Sequence, residues 1–291
     1  NTPLIFLNED MNCAVNISQT YPGVVDHRTI NAGSFGDWAD KRAYYLENCG
    51  DVIIQFCIFD SCSNTKELYG GGSLVVEQYC TVFIYATQFK NSYTVKRKGA
   101  AIYAVQKSGL YENDKKEIII DDTPLPEFTI QECCFSDCHN NEDDKLYGVA
   151  IYCCAENTIL FMSSAVNCPG PTHNRAEGAQ FDMQADIVKS KNVNITGGKS
   201  KYCAGIEYRN AKKGYFLYQT ITNIEGCMFA TAITNINADG IEISYSNYNK
   251  IALEYNGGDT DVNLYPGLVH VRFKDIIIDT FVFTNLNVRS S

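Results

Sequence analysis

The segment YYLENCGDVIIQFCIF (residues 44–59) aligns without a gap with LVVEQYCTVFIYATQF (residues 74–89), thirty residues later in the chain. Apolar side chains occupy alternate positions in both segments, at Val52 and Ile54 and again at Val82 and Ile84. Such a period of two is typical of a β-strand, and self-similarity at a fixed spacing is typical of repeat proteins. The two segments therefore predict a fold made of stacked, strand-rich repeats.

The same frame recurs over the rest of the chain, giving eight blocks in total. Each block starts with an apolar residue, and these starts are Tyr44, Leu74, Ile102, Ile151, Phe181, Ile206, Ile233 and Leu268. Each also ends with an apolar residue, and these ends are Phe59, Phe89, Phe135, Val166, Val193, Ile221, Tyr248 and Phe283. We predict that both sets form core columns, and that Ile159 and Phe161 are the core counterparts of Val52 and Ile54.

A block has room for about three short strands separated by polar corners rich in Asn and Asp, which tolerate left-handed backbone. A unit of this size buries its apolar face only when each strand pairs in parallel with its copy in the next unit. We therefore predict an all-β protein, a single right-handed parallel β-helix of about eight coils. The alternative, a sandwich of unrelated strands, predicts hairpins at irregular spacing instead.

The irregular segments predict a cap and three outside loops. Residues 1–40 fit the repeat poorly and are assigned to an N-terminal cap or entry segment, and residues 41–291 are assigned to the β-helix domain. The longest insertion, at residues 105–127, is joined by excursions at 139–148 and 254–267. A tyrosine surrounded by charges suits an interface, so we expect a partner to contact Tyr111, Glu112, Asp114, Lys115 and Lys116. A solvated surface insertion remains the alternative.

The charge of the chain restricts its partners. The formal net charge is −10, and charged residues make up only 20% of the chain. An acidic surface is unfavourable for nucleic-acid phosphates and for anionic membranes. There is also no apolar run of eighteen residues, the length that a membrane-spanning helix requires. We therefore expect neither a nucleic-acid partner nor a membrane-spanning segment in this chain.

Thirteen cysteines allow three interpretations. A zinc site is disfavoured because no Cys-x-x-Cys pair occurs and only four histidines are present. Burial as small apolar side chains is expected for Cys57, Cys133 and Cys153, which share a face with the core columns. Disulfides between adjacent coils are the third interpretation, and the predicted pairs are Cys49 with Cys80 and Cys138 with Cys168.

Two Asn-x-Ser/Thr sequons, at Asn16 and Asn194, are candidate glycosylation sites. We place Asn194 at a corner between strands, where a glycan would be accessible. Such sequons also arise by chance in an Asn-rich chain, so they support an extracellular location only weakly.

Three segments resemble a known signature. They are CIFDSCSNTKELYGGGSLVV (57–76), QFKNSYTVKRKGAAIY (88–103) and CCFSDCHNNEDDKLYGVAIY (133–152). These segments resemble the Phe-x-x-Asn and Gly-Gly-Ala-Ile signature of polymorphic-membrane-protein-like β-helices, and they are also similar to Cys-rich β-helix surface proteins of parasitic protists. The resemblance covers three of the eight coils. It implies a secreted or surface-displayed protein involved in adhesion, and it implies no catalytic residues.

Three functions remain open. The favoured one is a non-enzymatic extracellular or cell-surface module that binds a host or neighbouring surface protein or a glycan, without a cofactor. A polysaccharide lyase or hydrolase would need paired carboxylates, and the candidates are Asp121 with Asp122 and Asp143 with Asp144. The acidic run NNEDD (140–144) would also suit calcium, although a solvated loop explains it equally well. The third function is an extracellular assembly in which coil ends self-associate.

Overall fold

The computed structural model describes residues 24–26, 29–31, 44–47, 50–64, 71–77, 80–94, 98–105, 111–112, 118–119, 127–140, 148–170, 178–200, 202–234, 240–255, 267–272 and 276–290. These residues form an all-β structure, and no helix occurs within these ranges. Most of the strands belong to one large sheet system in which neighbouring strands run parallel. The predicted all-β class is therefore confirmed.

The chain returns repeatedly to the same three strand positions, and we call each passage a layer. The first position is occupied by Tyr44–Glu47, Leu74–Glu77, Ile102–Val105, Cys203–Arg209, Phe229–Thr234 and Gly267–Arg272. The second position is occupied by Val24–Asp26, Gly50–Gln55, Cys80–Tyr85, Glu127–Gln131 and Lys213–Leu217. The third position is occupied by Thr29–Asn31, Ile58–Asp60, Gln88–Lys90, Cys134–Ser136, Ser164–Val166, Asn194–Thr196 and Thr220–Cys227.

Some layers have longer strands that cover two positions without a break. Ile151–Phe161 and Phe181–Lys191 cover the first and second positions, and Gly240–Tyr255 and Ile276–Ser290 cover the second and third. Five short strands lie outside this system, namely Ser63–Asn64, Tyr93–Thr94, His139–Asn140, Tyr111–Glu112 and Ile118–Ile119. The first three of these pair in parallel with one another, so the layers also stack beyond the third position.

Parallel pairing in register builds columns of like side chains. Phe59 pairs with Phe89, which pairs with Phe135. Their rings stack at centroid distances of 4.8 and 4.9 Å, close to the ~4.8 Å spacing of paired strands. All three side chains are buried, so the column contributes to the core and keeps consecutive layers in register.

Each layer from Tyr44 onward turns through two corners of left-handed backbone on either side of its third strand. The second corner has mostly Asn or Asp, as at Asn91, Asp137 and Asn223, and this confirms the polar corners that the sequence predicts. The first corner, five residues earlier, instead has bulky residues such as Met162 and Tyr245. Side chains other than Gly, Asn and Asp seldom adopt this conformation. The sequence therefore shows the second corner but conceals the first.

The predicted core columns are correct for the early layers and wrong for several later ones. The column from Tyr44 through Ile206 pairs as predicted. Beyond it, Thr231 and Val269 occupy the positions assigned to Ile233 and Leu268. In the second predicted column, Ala165 and Ile195 replace Val166 and Val193. The layer that begins at Phe181 therefore reaches the end of its column at Ile195, two residues later than the predicted Val193.

One further register error changes which face two side chains occupy. Thr158 and Leu160, rather than Ile159 and Phe161, pair with the core residues Phe128 and Ile130. A shift of one residue in a strand moves every side chain to the opposite face. Ile159 and Phe161 therefore lie on the outer face of the sheet, where both are half-buried.

The sheet also extends into the predicted N-terminal cap. Val24–Asp26 pairs in parallel with Gly50–Gln55, and Thr29–Asn31 pairs with Ile58–Asp60. Both pairings keep the register of the layers that follow. Part of the segment 1–40 therefore forms strands of the sheet, while residues 1–23 lie outside the described residues.

Candidate ligand-binding site

A groove with a volume of ≈ 400 Å³ lies on the outer face of the second strand position. Eight residues line it: Glu127, Asn157, Thr158, Ile159, Ile187, Lys189, Lys213 and Tyr215. They come from four consecutive layers, so no single segment of the sequence contains the site. A concave surface with apolar walls and a few convergent polar groups is the usual form of a ligand site.

Parallel register aligns seven of the eight lining residues in two neighbouring columns, while Thr158 lies between the columns with its side chain buried. Glu127 pairs with Asn157, Asn157 with Ile187, and Ile187 with Lys213. The second column lies two residues further along each strand and contains Ile159, Lys189 and Tyr215. Residues two apart in a strand point to the same face, so both columns face the groove.

The groove combines an aromatic ring, two cations and a carboxylate. The Tyr215 side chain is 37% exposed. The Lys213 ammonium lies 5.8 Å from the centroid of the Tyr215 ring. Lys189 and Lys213 have exposed side chains. Glu127, at the other end, accepts a hydrogen bond of 2.9 Å from the Thr129 hydroxyl. The groove is therefore polarised, with positive charge toward Lys213 and negative charge at Glu127.

Aromatic side chains continue this surface to the first corner of the layer that contains Tyr215 and of the next layer. Tyr218 and Tyr245 follow one another at that corner and stack with a centroid distance of 4.8 Å and an interplanar angle of 8°. The Lys191 ammonium lies 5.9 Å from the Tyr218 centroid. The left-handed corner, which the sequence conceals, thus presents aromatic rings at the edge of the surface that includes the groove.

The long insertion rejoins the sheet at the groove. Glu127, the last residue of the insertion, begins the strand Glu127–Gln131 and lines the groove. Within the insertion, Tyr111–Glu112 and Ile118–Ile119 pair antiparallel as a small hairpin. Of the predicted partner-contacting residues, Tyr111 and Glu112 lie on this hairpin, while Asp114, Lys115 and Lys116 lie outside the described residues. The excursion 254–267 likewise lies mostly outside the described residues.

The structure places only some of the other predicted site residues. Asn16, Cys49, and the acidic pairs Asp121 with Asp122 and Asp143 with Asp144 lie outside the described residues. Asn194 begins the strand Asn194–Thr196 instead of occupying a corner, and its side chain is half-buried. The predicted corner position of Asn194 is therefore wrong. The core residue in the third strand of this layer is Ile195 rather than Val193, so Asn194 still lies within the strand.

The two predicted disulfide pairs have different outcomes. Cys80 pairs in register with Gly50, the residue after Cys49. Cys138 and Cys168 both follow a left-handed corner residue in consecutive layers, and both are buried free thiols. Burial is the main cause that raises the pKa of Cys168, and a side-chain hydrogen bond with Cys138 is the second. The two thiols therefore lie in contact. A disulfide between them stays a prediction.

Burial makes the core cysteines poor nucleophiles and poor metal ligands. The buried position expected for Cys57, Cys133 and Cys153 is confirmed. Loss of solvation raises the pKa of Cys62 to about 11 and that of Cys227 to about 12. Only the thiolate attacks or binds a metal, so these side chains act as apolar filling at neutral pH.

Within the described ranges, no cluster of three or more His, Cys, Asp or Glu side chains has the arrangement of a metal site. The described residues also include no helix with the length and apolar character needed to cross a membrane. Comparison with family models, with curated proteins and with solved structures finds no match to this chain.

Proposed function

We propose that this protein is a non-enzymatic binding module of the extracellular space or cell surface, built on a right-handed parallel β-helix. Its ligand is a protein or glycan of a host or neighbouring surface. The observation that carries the proposal is the groove formed by two columns of side chains across four layers, next to the long insertion. The resemblance to surface β-helix proteins points in the same direction.

The parallel layers support a binding role because they preorganise the groove. Each lining strand from Glu127 to Leu217 pairs with a strand in the layer before it and a strand in the layer after it. The lining side chains are therefore attached to backbone that is already ordered in the free protein. A preorganised surface loses less conformational entropy when it binds, and this raises affinity.

The composition of the groove favours binding over hydrolysis. Glycoside hydrolysis ordinarily requires two carboxyl groups across the scissile bond. Among the described lining residues, Glu127 is the only carboxylate. The Asp pairs that the sequence offers for this chemistry lie outside the described residues, so the proposal rests on the groove itself.

The proposal is tested by binding of fluorescently labelled full-length chain to an array of glycans and extracellular-matrix proteins. We expect the wild type to bind a subset of the array, and the groove variant Tyr215→Leu to lose most of that signal. Deletion of residues 109–122 should leave the fold intact, because the strands on either side keep their pairing in the layers. Absence of wild-type binding, or cleavage of an array glycan by the wild type, would refute the proposal.

A second candidate function, self-association through the last layer, is favoured by one observation. Ile278 and Phe283 pair with the buried core residues Ile243 and Tyr248, yet they are 54% and 59% exposed. Within the described residues, their strand Ile276–Ser290 pairs on one side only. An apolar, unpaired strand edge is a template for pairing with a second copy of the chain.

Sedimentation velocity separates this candidate from the first. A second copy that covers the last layer should dissociate in the variant Phe283→Lys, because Lys would place a charge in the contact. The control is Val282→Lys, a change to the adjacent residue on the opposite face of the strand. Self-association is refuted if the wild type is a monomer at every concentration. It is contradicted as well if Phe283→Lys loses ligand binding while its oligomeric state stays that of the wild type.

A further inference from the structure

We infer that the groove binds an anionic saccharide, one that has carboxylate or sulfate groups on its sugar rings. This inference rests on the proposed binding function and assigns the class of ligand. It depends on three features of the groove: an exposed tyrosine ring, lysines that form no ion pair with another described residue, and a backbone whose hydrogen bonds are already made.

The charge of the groove is opposite to that of the whole chain. The chain has a net charge of −10, yet Lys189, Lys191 and Lys213 lie close together on adjacent layers of this outer face. No ion pair joins any of these three to a carboxylate in the described part of the chain. The neighbouring Lys212, by contrast, lies 2.6 Å from the Asp186 carboxylate. The three ammonium groups are therefore available to an anionic ligand.

Tyr215 supplies a flat surface for a sugar ring. The face of an aromatic ring carries partial negative charge, and the C–H groups on one face of a pyranose carry partial positive charge. Ile187, in the layer next to this ring, and Ile159, one layer further, are both half-buried and form the apolar part of the groove. An anionic sugar stacked on Tyr215 would place its acidic group near Lys189 and Lys213, where charge-assisted hydrogen bonds form.

The opposite end of the groove fixes the direction of the ligand. Glu127 repels a second acidic group. Its carboxylate can accept hydrogen bonds from sugar hydroxyls, and the Asn157 amide can both accept and donate them. A saccharide with an acidic group at one end and neutral hydroxyls at the other matches this polarity. The half-buried Asn157 lies between Glu127 and Ile187 in the same column, within the length of the groove.

The backbone of the groove disfavours an acidic peptide. An extended peptide gains most of its affinity by adding a strand to an open sheet edge. Here the lining strands already pair on both sides, as Glu127–Gln131 does with Cys80–Tyr85 and with Ile151–Phe161. Only side chains are available for recognition. A saccharide, rich in hydroxyls and with an apolar ring face, is suited to recognition by side chains alone.

Isothermal titration calorimetry with the full chain tests the assignment. The probes are lactose 3′-sulfate, which has one sulfate, and 3′-sialyllactose, which has one carboxylate, each at one end of an otherwise neutral saccharide. Maltohexaose is the neutral control and poly-glutamate is the peptide control. We expect at least one anionic saccharide to bind, with an affinity that falls as NaCl is added, because salt screens exposed charges. The sulfated and carboxylated probes distinguish the two sources of charge.

Two variants link binding to the groove. The double variant Lys189→Gln/Lys213→Gln should weaken binding by about tenfold or more, the factor expected for loss of charge-assisted hydrogen bonds. Tyr215→Leu should weaken it by a similar factor, about tenfold, through loss of ring stacking. Lys199→Gln, at an exposed lysine outside the groove, is the matched control and should bind as the wild type does. Circular dichroism and a thermal melt confirm that each variant is folded.

The outcomes separate this inference from the proposed function. Equal binding of maltohexaose, equally tight binding of poly-glutamate, or unchanged affinity in the double variant would each refute the anionic-saccharide assignment. If neither anionic probe binds while the array still shows a ligand, the assignment fails and the binding function stands. If neither probe binds and the array is empty, both fail.

Discussion

The guanidinium of Arg209 donates two hydrogen bonds to the carboxylate of Asp182 in the preceding layer, from Nε to Oδ1 at 3.0 Å and from Nη2 to Oδ2. Asp182 is fully buried, and its paired neighbour in the sheet is Glu207, a second buried carboxylate. Arg209 Nε also lies 3.7 Å from Glu207 Oε1. One guanidinium thus stabilises two adjacent buried carboxylates across a layer boundary.

Arg209→Met should destabilise the protein by about 3 kcal/mol or more, because it leaves two buried carboxylates without this cation. Urea denaturation measures the loss. The matched control is Lys212→Met, which breaks the exposed Lys212–Asp186 pair and should cost less than about 1 kcal/mol. Equal losses in the two variants would contradict the structural importance of the buried pair.

The register of Ile151–Phe161 predicts losses of stability of very different size for substitution by Asp at two adjacent residues. Leu160→Asp places a carboxylate in the core and should cost about 4 kcal/mol or more. Ile159→Asp changes the outer face and should cost less than about 1 kcal/mol. Thermal melts of the two variants measure the difference. If Ile159→Asp is the more damaging, the register is off by one residue and Ile159 belongs to the core.

The buried thiols predict a loss of stability at alkaline pH. The pKa of Cys227 rises from 9.0 to about 12, chiefly because burial disfavours the thiolate. Because the native pKa is raised, the contribution of this thiol to the free energy of unfolding is complete below pH 9. It falls as the pH rises toward 12, since the unfolded chain releases the proton first. This group contributes a slope of about 1.4 kcal/mol per pH unit within that window.

Urea denaturation at several pH values from neutral to alkaline measures this slope. Cys227→Ala removes the titrating group, so its stability should fall less steeply above pH 9 than that of the wild type. The packing loss in this variant shifts stability equally at every pH and therefore does not affect the comparison of slopes. Identical slopes would contradict a raised pKa at Cys227.

Adjacent cysteines should differ in their reaction with iodoacetamide. Cys133 is fully buried with a raised pKa, whereas Cys134 is half-buried and points to the outer face. Only an accessible thiolate reacts, so Cys134 should be alkylated in the native protein and Cys133 only after denaturation. Peptide mass spectrometry identifies the modified residue. The same measurement on non-reduced protein shows whether Cys138 and Cys168 are joined.

The sequence by itself determined the all-β class, the stacking of like segments and most of the early core. The matches between residues 44–59 and 74–89 are ungapped, and there the predicted pairings agree with the structure. The Asn and Asp corners were also visible, because few other residues tolerate left-handed backbone. The sequence alone also indicated that Cys57, Cys133 and Cys153 are buried, because their spacing relates them to the core columns.

The sequence did not determine the register of the later layers. Phe161 and Ile159 are as apolar as the core residues Leu160 and Val188, so hydrophobicity alone cannot say which face each one occupies. The register there depends on the neighbouring layers, and on left-handed corners at residues such as Met162 that have no sequence signature.

Only the tertiary structure decided where the groove lies. Its lining residues, from Glu127 to Tyr215, are brought together by parallel pairing across four layers, and in the sequence they are separated by whole repeats. A net charge of −10 describes the average surface, whereas the local charge depends on which side chains share a face. Because parallel pairing places Lys189 and Lys191 of one layer beside Lys213 of the next, these lysines lie together next to Tyr215.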